Sequence, residues 1–243
     1  MTDQIKYLLC LADNALILGH RNSEWCGHGP VLEQDIALTN ISLDLIGQAR
    51  NFYQYAASLS GADHNEDTLA YHRDSHEFLN TLLVEQPNGD WGVTILRQFL
   101  VSNYQYYLYQ QLQHNSDVTL AAIAAKAIKE VTYHLRWSSE WVIRLGDGTT
   151  ESNQRMQQAL HLLWPFTYEL LQPADYETGY IDVTKIKQLW QDKTNEILAE
   201  ATLSIPNNSQ PFIGGKTGAH SEHLTAILNE MQSLPRAYPN TIW

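Results

Sequence analysis

Positive charge is scarce in this sequence. Its 15 Lys and Arg residues are outnumbered by 27 Asp and Glu residues, which gives a formal net charge of −12 at pH 7. Nucleic acids and anionic membranes attract basic proteins, so we expect neither as a partner. Long apolar runs are missing as well, and none reaches the roughly 18–20 residues of a membrane span. The first residues also lack the basic segment of a secretory signal, which favours a cytoplasmic protein.

Cysteine is equally rare, with only Cys10 and Cys26 in 243 residues. The two show neither a CxxC spacing nor a disulfide framework, so we expect buried, reduced thiols of a cytosolic protein. The sequence also lacks convincing strand alternation, repeats and low-complexity tracts. The hydrophobic content of 44% is nevertheless ample for a core. Together these observations predict a soluble helical protein.

Helical periodicity runs through most of the chain and is clearest at residues 35–59, where apolar residues recur at steps of three and four. This stripe consists of Leu38, Ile41, Leu45, Ala49, Phe52 and Ala56. Helices are predicted at residues 3–21, 35–59, 68–83, 91–113, 118–145, 152–171, 183–201 and 220–233. Asp117 is the expected N-cap of the fourth long helix, and Pro165 is expected to kink or break its own helix. We predict one all-α domain over residues 1–243, with a core bundle at about 3–146 and a helical extension at about 152–243.

Two predicted helices invite comparison with a di-metal site. In bundles with a carboxylate-bridged di-metal centre, Glu and His lie at positions i and i+3 of one helix. Here one such pair is Leu45 and Gln48, which supply no donor and a weak amide donor. In the fourth long helix, Glu130 and His134 are four residues apart, and Val131 lies three residues before the histidine. We interpret His134 as a core histidine satisfied by Glu130 or another polar group, with a shifted metal site as the alternative.

Four tyrosines crowd the third long helix. They are Tyr104, Tyr106, Tyr107 and Tyr109. They cannot all share one helix face, so some are expected outside the core, where tyrosine suits a protein interface. Ordinary core and rim packing is the alternative. The glycine-rich residues 214–218 do not complete a phosphate-binding motif and are expected to form a turn ahead of the last helix.

Six strings spread over nearly the whole chain carry a family resemblance. They are WCGHGPVLEQDIALTNISLDLIGQARNF, EDTLAYHRD, LLVEQPNGDW, AAKAIKEVTYHLRWS, RMQQAL and GGKTGAHSEHL. In combination they resemble the PaaC family, the structural subunits of bacterial phenylacetyl-CoA epoxidase. The resemblance implies an all-α, ferritin-like four-helix bundle with additional C-terminal helices. It also implies a non-catalytic chain that pairs with and stabilises the catalytic subunit PaaA during ring epoxidation of phenylacetyl-CoA.

The same resemblance implies where cofactors and partners belong. The di-iron site would lie in PaaA, and FAD and an iron–sulfur cluster in a transiently bound reductase; a small subunit, PaaB, completes the system. This chain would hold no cofactor. The positions that match the PaaA iron ligands are Ala15, Leu45, Gln48, Ser102 (with Asn103 beside it), Val131 and His134. A single remaining imidazole cannot hold two irons, so we expect a degenerate site.

One stretch is expected to approach the CoA portion of the substrate in the assembled complex. It consists of His76, Glu77, Phe78, Leu79 and Asn80, which combine an aromatic ring with amide and imidazole donors. An amphipathic helical cover is the alternative for these residues. Two other functions stay open for the whole chain. One is a CoA-ester-binding module, and the other is a stand-alone di-metal oxidase that would use Glu33, Asp44, Glu130 and His134.

Overall fold

The computed structural model describes residues 1–61, 64–207 and 209–238. Throughout these ranges the regular structure is helical and contains no strand, so the predicted all-α class is confirmed. The α-helices are α1 (Asp3–Ser23), α2 (Leu32–Ser60), α3 (Glu66–Tyr71), α4 (Leu82–Glu85), α5 (Trp91–Leu112), α6 (Val118–Gly146), α7 (Thr150–Leu163), α8 (Thr167–Leu170), α9 (Val183–Glu200), α10 (Glu222–Met231) and α11 (Ser233–Ala237). Short 3-10 helices occupy Ser75–Glu77, Trp164–Phe166, Asp175–Glu177 and Gly215–Thr217. Within the described ranges, no helix is both long and apolar enough to cross a membrane.

The chain forms two compact units. Unit 1 comprises Met1–Pro87, Ala174–Tyr176 and the C-terminal segment from Gly214, whereas unit 2 comprises Asn88–Pro173 and Glu177–Ile213. The C-terminal helices are therefore distributed over both units, with α7 to α9 in unit 2 and α10 and α11 in unit 1. The single-domain organisation of residues 1–243 stays a prediction.

In unit 1, α1 packs closely along α2. The closest approach is at Gly19, where an added Cβ atom would lie 3.2 Å from Ile46 Cγ1 and 3.3 Å from Leu45 Cβ. The loop between the two helices folds onto the start of α2, because the Gly27 N–H donates to both carboxylate oxygens of Asp35 at 3.0 and 3.1 Å. Gly27 has a φ of +80°, a conformation that glycine adopts at little cost. This loop therefore fixes where α2 begins.

In unit 2, α5 packs against α6 and α9. Asp117 caps α6 by accepting hydrogen bonds from the N–H groups of Thr119 and Leu120, as predicted. The indole N–H of the buried Trp190 on α9 donates to the Leu100 carbonyl at 3.0 Å. The predicted break at Pro165 is also present, since α7 ends at Leu163 and a 3-10 turn follows.

The helix predicted at residues 68–83 is wrong. Only α3 and the single turn of α4 are α-helical there, and the backbone between them contains a 3-10 turn and an extended stretch. Side chains of α1 explain the difference. The Leu79 N–H donates to the Asp13 carboxylate at 2.7 Å, and the Thr81 N–H donates to the Asn14 side chain at 3.0 Å. These tertiary hydrogen bonds replace the bonds that a continuous helix would make.

The cysteine prediction is wrong in one half. Cys10 is buried in α1, but Cys26 is exposed in the loop ahead of α2. Neither of them forms a disulfide, as expected. Cys26 lies among turn residues whose backbone is near the surface, and no apolar periodicity places it inside.

Candidate functional site

Three of the six positions that match iron ligands lie in unit 1. Ala15 on α1 and Leu45 and Gln48 on α2 are all buried, with Leu45 fully inaccessible to solvent. Leu45 Cβ lies at the close approach of α1 and α2 beside Gly19. The apolar side chains at these positions therefore serve helix packing.

The other three positions lie in unit 2. Ser102 on α5 accepts a hydrogen bond from the Gln98 side chain at 2.7 Å, and Val131 and His134 on α6 are fully buried. The neighbouring Asn103 turns to α9, where its amide donates to the Trp190 carbonyl and to the Thr194 hydroxyl, each at 3.0 Å. Ser102 and Asn103 are thus both engaged in packing within the helical core of unit 2.

The donor chemistry of these positions does not fit a di-iron centre. Alanine, leucine and valine have no donor atom, and a bridged di-iron centre needs several carboxylates. Over residues 1–61, 64–207 and 209–238, no group of three or more His, Cys, Asp or Glu side chains could hold a metal ion. The residues of the rival oxidase hypothesis therefore do not form such a group, and Glu33 is exposed at the start of α2. That the chain binds no iron stays a prediction.

The stretch expected near the substrate is largely covered by the chain itself. Phe78 and Asn80 are fully buried, Leu79 is half-buried, and only His76 and Glu77 are more accessible. The prediction that the Phe78 ring and the Asn80 amide face a CoA ester is therefore wrong for this conformation. The alternative of an amphipathic helix is wrong as well, because the backbone here is a 3-10 turn followed by an extended stretch.

The tyrosines of α5 divide into two pairs. Tyr104 and Tyr109 are buried, whereas Tyr106 and Tyr107 are half-buried and meet edge to face with ring centroids 5.3 Å apart. Burial and the nearby Tyr106 raise the pKa of the Tyr107 hydroxyl. Of the four, only Tyr106 and Tyr107 are thus accessible to a partner, and their role in an interface stays a prediction.

A buried ion pair that the sequence analysis missed joins α1 to the segment after α3. The Asp13 carboxylate accepts hydrogen bonds from the Arg73 guanidinium and, at 2.5 Å, from the Tyr53 hydroxyl of α2. The guanidinium carbon also lies 4.2 Å from the centre of the Phe78 ring. Burial alone would lower the pKa of Arg73, but Asp13 raises it, so the guanidinium stays charged. Asp13 interrupts an apolar helix in the sequence, which signals a buried partner without identifying it.

A second buried pair holds the C-terminal segment of unit 1. The Glu85 carboxylate lies 2.9 Å from His220 Nδ1, and it accepts hydrogen bonds from the Asn80 amide at 3.0 Å and the Ser221 N–H at 2.8 Å. The other ring nitrogen, His220 Nε2, lies 2.9 Å from the Phe78 carbonyl oxygen. A carbonyl oxygen can only accept, so Nε2 must carry a proton.

The protonation of His220 follows from these contacts. Burial by itself lowers the pKa of the imidazole, but its hydrogen bonds to Glu85 and to the Phe78 carbonyl reverse this effect, and the pKa is raised. With acceptors at both nitrogens, the doubly protonated ring is favoured. His220 is therefore a structural cation, in agreement with the expectation that the glycine-rich turn and the last helix are structural.

The glycine-rich turn before α10 owes its glycines to close backbone contacts. An added Cβ atom at Gly215 would lie 2.2 Å from the Asn80 carbonyl oxygen, and one at Gly218 would lie 2.3 Å from that of His76. Gly218 also has a φ of +85°. No other residue could occupy these positions without moving the backbone. The expected turn is confirmed, and it covers the stretch at residues 76–80.

The surface of α2 carries a feature that the sequence analysis missed. Leu32, Ile36, Leu43 and Ile46, here called the outer row, are exposed large apolar side chains. They lie on the side of α2 away from its buried stripe. Their spacing of 4, 7 and 3 residues was a readable signal, because it follows a seven-residue repeat. The outer row is the longest run of exposed large apolar side chains on any one described helix.

Comparison with known proteins places the chain among proteins of phenylacetate catabolism. The sequence-family model described as "Phenylacetic acid catabolic protein" matches residues 1–243. A relative from Escherichia coli (strain K12), named as the C subunit of 1,2-phenylacetyl-CoA epoxidase, is 47% identical over 249 residues, and the match covers 100% of both chains. Both matches therefore extend over unit 1 and unit 2 alike.

Proposed function

The chain belongs to the phenylacetic acid catabolic protein family, and we propose that it is the non-catalytic subunit of a phenylacetyl-CoA epoxidase in aerobic phenylacetate degradation. The full-length identity of 47% to a protein named as the C subunit of that enzyme supports this assignment. The all-α structure agrees with the ferritin-like class that the family resemblance implies. The reaction of the complex would be insertion of one oxygen atom of O₂ into the aromatic ring of phenylacetyl-CoA.

The observation that carries the non-catalytic role is the donor set. Ala15, Leu45 and Val131 occupy positions where a di-iron subunit needs carboxylates, and all three are buried in helix packing. Restoring one ligand would place an ionised group among apolar side chains, at a cost of several kcal/mol. A chain with this interior supports the complex by packing and by binding its partner.

The proposal includes the rest of the complex. The partner is the PaaA-type catalytic chain, which would supply the di-iron oxygen chemistry. A PaaB-type small subunit and a reductase with FAD and an iron–sulfur cluster would complete it in the cytoplasm. The printed name of the E. coli relative, which counts it among lettered subunits of one enzyme, supports a multi-subunit assembly.

A metal analysis tests the non-catalytic role. We would reconstitute the purified chain anaerobically with ferrous iron, remove free metal and measure iron, manganese and zinc per chain. We expect none in stoichiometric amount, with the PaaA-type subunit treated in parallel as the positive control. About two irons per chain, the content of a bridged di-iron centre, would refute the proposal.

An assembly experiment tests the partner. The chain and the PaaA-type subunit would be mixed at micromolar concentration in about 0.5 M salt and run on a sizing column. We expect co-elution, since a permanent interface of roughly 2,000 Å² or more is largely apolar and is little screened by salt. Two separate peaks would contradict the assignment.

A further inference from the structure

The outer row of α2 has the spacing of a coiled-coil seam. The side chains of Leu32, Ile36 and Leu43 are each more than half exposed, and Ile46 is 36% exposed. Together with Thr39 and Arg50, the outer row follows steps of 4, 3, 4, 3 and 4 residues, which is a heptad pattern sustained over about 27 Å of helix. A side of α2 that faced only water would have no need of this pattern.

A hole for a large side chain lies within the seam. Leu43, Ile46, Gly47 and Arg50 are related as i, i+3, i+4 and i+7, which is the set of four residues that receives one knob from a facing helix. An added Cβ atom at Gly47 would meet nothing within 4 Å. Packing inside the chain therefore does not require glycine there, although glycine disfavours a helix interior relative to alanine. Close approach of a second helix is a reason for the missing side chain.

Charge at the two ends of the seam defines the chemistry of the occupant. Glu33 is exposed beside the first residue of the outer row, and the Arg50 side chain, 68% exposed, lies at the other end. Arg50 meets Glu66 at 3.4 Å on the surface, a contact weak enough to be shared with another acid. A helix with a basic residue opposite Glu33 and an acidic residue opposite Arg50 would complement both ends.

We propose that the outer row of α2 is the docking surface for one helix of the partner subunit. That helix would present a heptad apolar face, insert a large apolar or aromatic side chain over Gly47, and carry a base opposite Glu33 and an acid opposite Arg50. The identity of the partner rests on the proposed function, whereas the docking mode rests on the seam, the hole and the charges. A second copy of this chain fits less well, because each copy has a net charge of −12 and the two would repel.

Filling the hole separates folding from binding. Gly47→Leu and Gly47→Ala variants would be compared with the wild-type chain by thermal melting and by titration with the PaaA-type subunit. Ser58→Leu, at an exposed position of α2 beyond the seam, adds the same side chain as a matched control. Leu43→Glu removes an exposed apolar residue of the outer row as a second probe.

We expect Gly47→Leu to melt at or above the wild-type temperature and to bind the partner at least about tenfold more weakly, the loss that follows when a buried anchor is displaced. Gly47→Ala should weaken binding less, Leu43→Glu should weaken it as strongly as Gly47→Leu, and Ser58→Leu should bind as the wild type does. Wild-type affinity for both Gly47→Leu and Leu43→Glu would overturn the docking site while leaving the proposed function intact.

Two further outcomes would also overturn the inference. Failure of the wild-type chain to bind the partner at all would refute the proposed function and the docking site together. If the isolated chain sediments as a dimer that Gly47→Leu converts to a monomer, the occupant is a second copy instead.

Discussion

The two apolar faces of α2 have opposite environments. Leu45 on the buried stripe is fully inaccessible and lies at the closest approach of α1, whereas Leu43, two residues away, is 62% exposed. The two glycines at these faces differ in the same way, since Gly19 faces Leu45 across a gap too tight for a methyl group and Gly47 faces open space. Apolar character along a helix therefore does not by itself identify the core. The environment of each face determines whether its residues stabilise the fold or are available to a partner.

The largest expected difference between the two faces is the response to a charge. Leu45→Glu should lower the free energy of unfolding by at least about 4 kcal/mol, because a carboxylate would be buried with no cation to meet it. Leu43→Glu should change it by less than about 0.5 kcal/mol, since that position is already in water. Urea denaturation of both variants measures the contrast. Equal destabilisation would show that Leu43 is also a core residue.

A smaller difference is expected when a methyl group is added to each glycine. Gly19→Ala should destabilise the chain by about 1 kcal/mol, because the new Cβ atom would press on Leu45 and on the α2 backbone at Ser42. Gly47→Ala should stabilise it by about 0.5–1 kcal/mol, because alanine favours the helix and meets no neighbour. Denaturation midpoints at unchanged slope test both. A stabilising Gly19→Ala would mean that α1 and α2 pack less tightly than described.

The smallest expected effect is a pH dependence that belongs to the buried side of unit 1 and not to the outer row. The pKa of His220 is raised above its ordinary value of 6.5, since its hydrogen bonds to Glu85 and the Phe78 carbonyl outweigh the lowering by burial. Its contribution to stability is complete below about pH 6.5 and is lost as the pH rises through the folded-state pKa. We expect the free energy of unfolding to decrease over that rise.

His220→Gln should remove this pH dependence, whereas His114→Gln, at an exposed position, should retain it. Urea midpoints measured from about pH 5.5 to about pH 9, on either side of the ordinary histidine pKa, would show the difference. An unchanged pH profile in His220→Gln would mean that another group is responsible. The outer row contains only leucine and isoleucine, so Leu43→Glu should leave the profile in this range as it is.

Periodicity was sufficient to predict most of the long helices but not the segment between α3 and α5. Residues 68–83 have a helical pattern, yet Asp13 and Asn14 of α1 capture the backbone N–H groups of Leu79 and Thr81. The missed ion pair of Asp13 with Arg73 has the same origin, because the two residues are 60 positions apart. Short-range patterns contain no information about such distant partners.

The accessibility of candidate site residues was also beyond the pattern. Phe78 and Asn80 have the chemistry to bind an adenine or a pantetheine, but both are buried, and the turn at Gly215 and Gly218 covers their segment with backbone. Tyr109 has the chemistry of an interface residue and lies in the core instead. Side-chain type states what a residue could bind, and only the packing around it states whether a ligand could reach it.

The sequence by itself determined the helical class and the lack of iron-binding donors at the matched positions. Both are properties of residue identity and local spacing, since a 3.6-residue period specifies a helix and Leu45 has no donor atom in any fold. Tertiary structure decided which of two apolar faces of α2 became the core, and it joined His220 to Glu85 over 135 residues of chain. The physical reason is that burial and ion pairing depend on which distant segments meet, and one helix with two apolar faces can be packed from either side.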